Sequence, residues 1–137
     1  MQGVINATDV RKDFSKFVDD VVHVRPQFVK RNHDHWLALS AIHARALLDN
    51  LKFQAQYLEE EDGSITATID GFDIVVNAAD RDLARKALAE DLSEYANEYF
   101  NEFRLYYYST NRQKHFPYIL AVLIQDDLNG VISLISA

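Results

Sequence analysis

Apolar residues recur at helical spacing near the start of the chain, after a short apolar stretch. Val4 to Ala7 predicts a strand, and Thr8 follows as a candidate N-cap, with Asp9 in the first turn of the next helix. Positions three and four residues apart then place one apolar stripe on that helix. The stripe consists of Val10, Phe14, Phe17, Val18, Val21 and Val22. The pattern predicts a strand followed by a single amphipathic helix.

Two short apolar runs flank a polar turn and predict a β-hairpin. The strands are predicted over 28–31 and 36–39, with the turn over 32–35. Ser40 is a candidate cap for a second helix that extends to about residue 51. The first part of the chain is therefore predicted to follow the order β-α-β-β-α.

The second part begins near Phe53 with alternation of apolar and polar residues. Strands are predicted over 53–57 and 65–69, because an Asp62-Gly63 turn signal lies between them. A third strand over 72–76 completes a predicted three-stranded sheet.

Helices are predicted for most of the remaining sequence. A long helix is expected from about 80 to 103, and a second over 116–125 with Pro117 in its first turn. Asp127 is a candidate cap for a last short helix to residue 135. The apolar stripe of the long helix is Leu83, Ala87, Leu88, Leu92, Tyr95, Tyr99 and Phe103. The predicted fold class is α+β, a β-α-β-β-α unit followed by a βββα unit and C-terminal helices.

The net charge changes sign near residue 53, where the alternating apolar pattern of the second part begins. The net charge of the chain is −7, with +2 over residues 1–52 and −9 over residues 53–137. We predict two domains with these bounds and interpret the asymmetry as a sign of two partners of opposite charge. Ordinary variation in surface charge is the alternative interpretation.

Composition excludes several classes of protein. A hydrophobic content of 48% supports a packed core, and the absence of cysteine excludes disulfides and thiolate metal sites. The longest apolar run, 118–124, is far shorter than the ~20 residues that span a bilayer. The start of the sequence has no signal-peptide pattern, so we expect a cytoplasmic protein without membrane contact.

Basic residues in the first predicted helix are candidate phosphate contacts. Arg11 is predicted in its first turn, with Lys12 and Lys16 nearby, and a helix N-terminus attracts anions. Arg11 suits a guanine edge or a phosphate, whereas the lysines suit phosphates. Solvated charges on an amphipathic helix are the alternative, since Asp13, Asp19 and Asp20 dilute the positive charge.

Together the strand, the helix and the basic hairpin resemble the Phd/YefM antitoxin family over residues 3–52. The residues that carry the resemblance are Ile5, Ala7, Thr8, Arg11, Phe14, Ser15, Phe17, Val18, Lys30, Arg31, Ala38, Leu39 and Ser40. The resemblance implies a dimer that binds operator DNA and represses its own operon. The DNA-binding residues expected from it are Thr8, Arg11, Lys12, Ser15, Lys16, Lys30 and Arg31.

The second part looks like a HicB-like antitoxin domain, in which an acidic hairpin turn leads to a third strand and a helix. The matching residues are Glu61, Asp62, Gly63, Ile65, Asp80 and Ala84. A segment over 111–123 is similar to an extension in RelB-like antitoxins. These resemblances imply a cognate toxin as partner, and a RelE/ParE-like ribonuclease is the expected class. Because residues 53–137 are apolar and periodic, we expect the toxin to dock on a preformed surface, with Tyr106, Tyr107 and Tyr108 as candidate contacts.

Signals for enzymatic chemistry are weak. His33 and His35 would share a face of an extended segment, but two histidines do not complete a metal site, and a polar turn explains them as well. His115 has no spaced partner and is interpreted as a surface or capping residue. We expect no metal, no cofactor and no catalytic site. A protein-interaction module without DNA binding and a small hydrolase that uses His33 and His35 remain as alternatives.

Overall fold

Residues 1–47 form a three-stranded sheet with helices, and residues 48–137 form a second compact unit. The structure is a computed structural model that describes all residues from 1 to 137. The elements of the first unit are β1 (Val4–Asn6), α1 (Ala7–Lys12), α2 (Phe14–His23), β2 (Gln27–Arg31), β3 (Asp34–Ala38) and α3 (Ala41–Leu48). The strands lie in the order β1-β2-β3. The predicted order β-α-β-β-α is present, except that the first helix is divided.

The division of the first helix occurs at Asp13. This residue has a non-helical backbone, with φ −146° and ψ 77°, and its carboxylate accepts a hydrogen bond from the Lys16 amide at 3.1 Å. Asp competes with helical hydrogen bonding by bonding to nearby backbone amides, so it ends α1 and caps α2. The prediction of one continuous helix was wrong. Thr8 is also not the N-cap, since Asn6 holds that position and Thr8 lies within α1.

The predicted apolar stripe of this region is only partly buried. Val10 and Val21 are buried, whereas Phe14, Val18 and Val22 are exposed. A unit of this size buries a smaller share of its surface than a larger domain, and a three-stranded sheet cannot cover every apolar position. The exposed part of the stripe is therefore available to a partner.

Pairing in the first sheet combines two directions. β1 and β2 are parallel, joined by the α1–α2 crossover, and β2 and β3 form an antiparallel hairpin. Asn32 in the hairpin turn has φ +54°, a left-handed conformation that asparagine tolerates better than most residues. Ser40 accepts a hydrogen bond from the His43 amide at 3.3 Å, so the predicted cap of α3 is confirmed.

The second unit is built on an antiparallel sheet and a long helix. Its elements are β4 (Ala55–Glu59), β5 (Ile65–Ile69), β6 (Phe72–Ala78), α4 (Arg81–Asn101), α5 (Phe103–Tyr107), a 3₁₀ turn (Gln113–His115), α6 (Phe116–Leu123) and α7 (Leu128–Ser133). The strands lie in the order β4-β5-β6. Gly63 and Gly71 occupy the two connecting turns with φ of +85° and +81°, which the missing Cβ permits. The α+β fold class is confirmed.

The core of the second unit lies where α4 crosses the sheet. The buried face of α4 consists of Ala84, Leu88, Ala89, Leu92, Ala96 and Tyr99. Leu83, which the sequence placed on this face, is 49% exposed. Ala84, Ala89 and Ala96 are buried although the predicted stripe did not include them, so the buried face is offset from the predicted one.

Capping residues fix the helices at the places that the sequence predicted. Asp80 accepts a hydrogen bond from the Leu83 amide at 2.8 Å, and Asp127 accepts one from the Gly130 amide at 3.0 Å. Pro117 lies in the first turn of α6. No helix is long and apolar enough to cross a membrane.

The last residues of the sequence pair with the segment that precedes β4. Phe53 and Ile135 form a parallel bridge. The Ser136 hydroxyl oxygen accepts a hydrogen bond from the Ala55 amide at 2.8 Å, and the Tyr57 hydroxyl donates to the Ser136 carbonyl at 2.8 Å. This pairing fastens the end of the second unit to its beginning.

Candidate functional site

Two separate stretches of sequence that carry predicted cations come together at one end of the first sheet. Asn6, the last residue of β1, is the register partner of Lys30 near the end of β2. Because parallel strands end at the same edge of a sheet, α1 begins beside the turn that follows Arg31. α1 packs against both β1 and β2. The predicted DNA-binding residues are all exposed: Thr8, Arg11, Lys12, Ser15, Lys16, Lys30 and Arg31.

Three of these cations already have acidic neighbours. The ion pairs are Lys12 with Asp9 at 3.6 Å, Lys16 with Asp20 at 2.6 Å, and Arg31 with Asp34 at 3.0 Å. The hydrogen bond to Asp20 raises the pKa of Lys16, which therefore stays protonated. Exposed pairs of this kind are weak, so a phosphate can replace the carboxylate.

Arg11 and Lys30 make no ion pair, so their charges face solvent uncompensated. Arg11 lies in the last turn of α1 and not in the first turn of a long helix, as the sequence had suggested. Ser15 and Lys16 lie in the first turn of α2. The Lys16 amide there already donates to the Asp13 carboxylate, so an anion at this surface would meet side chains more than free helix amides.

An apolar row crosses the outer face of the first sheet. Val4, Phe28 and Leu37 are register partners across all three strands. Val29, one position along β2, is fully buried, and alternation directs Phe28 to the opposite face. Leu37 is 44% exposed. Sequence reasoning did not identify this row, because it depends on the pairing register.

The second unit contains a cleft of about 770 Å³. One wall is the start of β6, the second is a face of α4, and the third is the segment 110–115. Its lining residues are Gly71, Phe72, Asp73, Ile74, Asp91, Glu94, Tyr95, Glu98, Tyr106, Thr110, Asn111, Arg112, Lys114 and His115. We refer to this set as the α4 cleft.

His115 joins all three walls of the α4 cleft. Its Nε2 lies 2.8 Å from the Gly71 carbonyl oxygen and its Nδ1 lies 2.8 Å from the Tyr95 hydroxyl. The ring also stacks on Phe72, with 4.1 Å between the centroids. A carbonyl accepts only, so Nε2 donates to it, and the neutral ring then accepts the Tyr95 proton at Nδ1. Burial lowers the pKa of His115, which favours this neutral form.

The interpretation of His115 as a surface or capping residue was incomplete. Its ring is half-buried and its two hydrogen-bond partners are 20 and 44 residues away in the sequence. Arg112 is fixed nearby, because its carbonyl accepts a hydrogen bond from the Tyr99 hydroxyl at 2.7 Å. The Arg112 guanidinium carbon lies 5.6 Å from the Tyr95 ring centroid and 5.1 Å from that of Tyr106.

The three candidate tyrosines have different environments. Tyr106 lines the α4 cleft, and Tyr108 is 76% exposed. Tyr107 is half-buried and stacks on Phe103, with 5.1 Å between the ring centroids. Tyr106 and Tyr108 are therefore accessible to a partner, whereas Tyr107 contributes mainly to the internal packing of the unit.

The structure brings together no group of three His, Asp or Glu side chains that could hold a metal ion. His33 lies in the hairpin turn, and His35 lies on β3 opposite Lys30. Both histidines are exposed beside the basic end of the first sheet.

Comparison with known proteins identifies relatives over the whole chain. A crystal structure from Syntrophomonas wolfei subsp. wolfei, described as the antitoxin part of a proposed toxin/antitoxin system, is 45% identical. It superposes with a TM-score of 0.95 over 100% of this chain and 98% of that one. No curated protein matches the chain in sequence.

A single family model matches residues 1–137, so both units are part of one family pattern. The model is that of the PHD-like family, described as the antitoxin of toxin–antitoxin RelE/RelB systems. The Phd/YefM-type and HicB-like assignments of the separate units stay predictions. The chain belongs to the PHD-like family of antitoxins of RelE/RelB toxin–antitoxin systems.

Proposed function

We propose that this antitoxin binds and neutralises a ribonuclease of RelE/ParE type through residues 53–137. As a homodimer it binds operator DNA through residues 1–52 and represses its own operon. The observation that supports the proposal best is the separation of charge, which is +2 over the first of these ranges and −9 over the second. Each range is suited to a partner of opposite charge.

The DNA-binding part of the proposal rests on the basic end of the first sheet. Arg11 and Lys30 are uncompensated and come from segments that the β1–β2 register brings together. Arg11 can contact a phosphate or a guanine edge, whereas Lys30 serves as a point charge for phosphate. Thr8 and Ser15 add hydroxyl donors from the two short helices.

The dimer part of the proposal rests on apolar surface that is exposed to solvent in a single copy of the first unit. The row formed by Val4, Phe28 and Leu37 runs straight across the sheet. Phe14 on α2 is 63% exposed, and Trp36 on β3 is 43% exposed. The row is contiguous, whereas Trp36 pairs with the buried Val29 and therefore lies on the opposite face of the sheet. Contiguous exposed apolar side chains such as this row mark an interaction site, and a second copy would present the DNA contacts twice to a palindromic operator.

The toxin-binding part rests on the preformed second unit. The family description is that of an antitoxin of a RelE/RelB toxin–antitoxin system, which supports a toxin as the partner. An enzyme that binds RNA carries basic groups to meet the phosphates, and an acidic surface competes for those groups. The antitoxin role points to a regulatory protein and not to an enzyme.

The experiment that tests the proposal is a gel-shift titration of the chain's own promoter fragment at two salt concentrations, with and without the purified cognate toxin. Arg11→Ala with Lys30→Ala should reduce the salt slope by about 1 for each phosphate that the variant no longer neutralises. Lys86→Ala with Arg104→Ala removes two exposed cations from the second unit and is the matched control. Failure of the wild type to shift the promoter, alone or with toxin, would refute the repressor part.

A protein-interaction module without DNA binding is the second candidate. The ion pairs of Lys12, Lys16 and Arg31 favour it, since they compensate three of the predicted DNA contacts. This candidate predicts that wild type and the Arg11/Lys30 variant bind toxin equally and that neither shifts promoter DNA. Copurification of the tagged chain with the toxin gene product provides the toxin-binding measurement.

A further inference from the structure

We propose that the α4 cleft is the docking site for a basic segment of the cognate toxin, which inserts an arginine or lysine side chain between the carboxylates of its rim. The inference rests on the proposed toxin-binding function and assigns it to one surface of the second unit. The rim carboxylates are Asp73, Asp91, Glu94 and Glu98, which are all exposed.

The shape of the α4 cleft is set before any partner arrives. His115 bridges Gly71 and Tyr95, so the loop before β6, the long helix and the segment 110–115 are held together by two hydrogen bonds of 2.8 Å. The neutral His115 ring and its stacking on Phe72 fix the floor. A partner side chain therefore enters a cleft of about 770 Å³ without the entropic cost of ordering these walls.

The negative charge of the α4 cleft is unbalanced within the chain. Four carboxylates face only two cations, Arg112 and Lys114, among the lining residues. None of the four forms an ion pair within 4.0 Å. The carboxylates belong to two different elements, β6 and α4, and the packing of these elements brings them to the rim of the same cleft.

The placement of these acids on α4 opposes the electrostatics of an isolated helix. Glu94 and Glu98 are four residues apart, where like charges repel, and they lie toward the helix C-terminus, where the dipole is negative. Residues 87–103 contain no lysine or arginine that could offset them. A cationic partner removes this repulsion, so the arrangement favours the bound state over the free one.

The aromatic floor identifies the kind of group that enters. Phe72, Tyr95 and Tyr106 present ring surfaces within the cleft, and Arg112 already lies over two of them. The contacts of Arg112 with Tyr95 and Tyr106 show that a guanidinium fits against these rings, and the rim carboxylates add the charge that attracts a second cationic side chain.

The test compares two double variants in the full-length chain. Glu94→Gln with Glu98→Gln removes two rim charges, and Glu60→Gln with Glu61→Gln removes two exposed charges from the β4–β5 turn of the same unit. Affinity for the purified cognate toxin is measured by calorimetry at low and at moderate salt. We expect the rim variant to bind about tenfold more weakly or worse, with a reduced salt dependence, and the turn variant to bind nearly as wild type.

Each outcome has one meaning. Equal affinities for the rim and turn variants, with wild type binding the toxin, would overturn the cleft assignment and leave the antitoxin function in place. No binding by wild type would overturn the toxin proposal itself, and with it the cleft. A changed oligomeric mass of the free rim variant with unaltered toxin affinity would assign the cleft to a second copy of this chain. Unchanged circular dichroism of both variants excludes misfolding as the cause of weaker binding.

Discussion

The hydroxyl of Ser136 holds the last residues of the second unit against its first strand, and its removal tests whether this unit is a preformed surface. Its oxygen accepts a hydrogen bond from the Ala55 amide at 2.8 Å, at a position where Ala55 is 5% exposed. The neighbouring amide of Phe53 donates to the Leu134 carbonyl at 2.8 Å. Ser136→Ala removes the side-chain acceptor and leaves the buried Ala55 amide without a partner.

The cost of that change follows from the burial of the amide. An unsatisfied buried donor costs about 1–3 kcal/mol, so we expect the free energy of unfolding to fall by about 2 kcal/mol. For a domain of this size each kcal/mol corresponds to about 4–8 °C, which gives a decrease in Tm of about 10 °C.

Differential scanning calorimetry with a matched control measures this decrease. Ser133→Ala is the same substitution three residues earlier, where the hydroxyl donates to the Gly130 carbonyl at 2.6 Å in an exposed helix end. We expect its effect to be within about 0.5 kcal/mol. Equal shifts for the two variants, or no shift for Ser136→Ala, would refute the idea that the last residues are an integral part of the unit.

Two further predictions concern titration and helix capping. Burial holds the pKa of His115 below its ordinary value of about 6.5. Lys114 and Arg112 also lower this pKa, whereas Asp73 raises it. The unfolded chain therefore binds the proton more readily than the folded chain does. The folded state is therefore destabilised as pH falls below about 6.5. His115→Gln should flatten the dependence of the urea midpoint on pH between about 7.5 and 5. Equal slopes for the wild type and this variant would contradict the prediction. Asp13→Ala removes the cap of α2 and should cost about 1 kcal/mol by urea denaturation, whereas Asp13→Asn, which keeps an acceptor, should cost much less.

The elements that the sequence predicted well are those with local signals. Ser40 and Asp127 were recognised as caps because capping depends on residues within one turn. Gly63 marked a turn for the same reason. The break at Asp13 was missed because the apolar stripe continues across it. The stripe predicted one helix, and an Asp inside an amphipathic pattern was not interpreted as a cap.

The candidate sites depended on contacts that no local pattern contains. The basic residues were predicted individually, but the approach of the two segments that carry them required the parallel pairing of β1 with β2. The α4 cleft joins Gly71, Tyr95 and His115, and periodicity cannot reveal a hydrogen bond between residues 44 positions apart. Acidic spacing on α4 was visible in the sequence, but without the opposite walls it had the appearance of an ordinary solvated helix face.

The pairing of Phe53 with Ile135 also sets an order for folding during synthesis. The first unit is complete once residue 47 is available, because its sheet uses only strands before that point. The second unit must close a loop between Ala55 and Ser136, which are 81 positions apart, and a contact so distant in sequence forms late. A ribosome therefore releases a folded first unit well before the acidic unit is finished, and the surface proposed for toxin binding forms only after residue 136 has been translated.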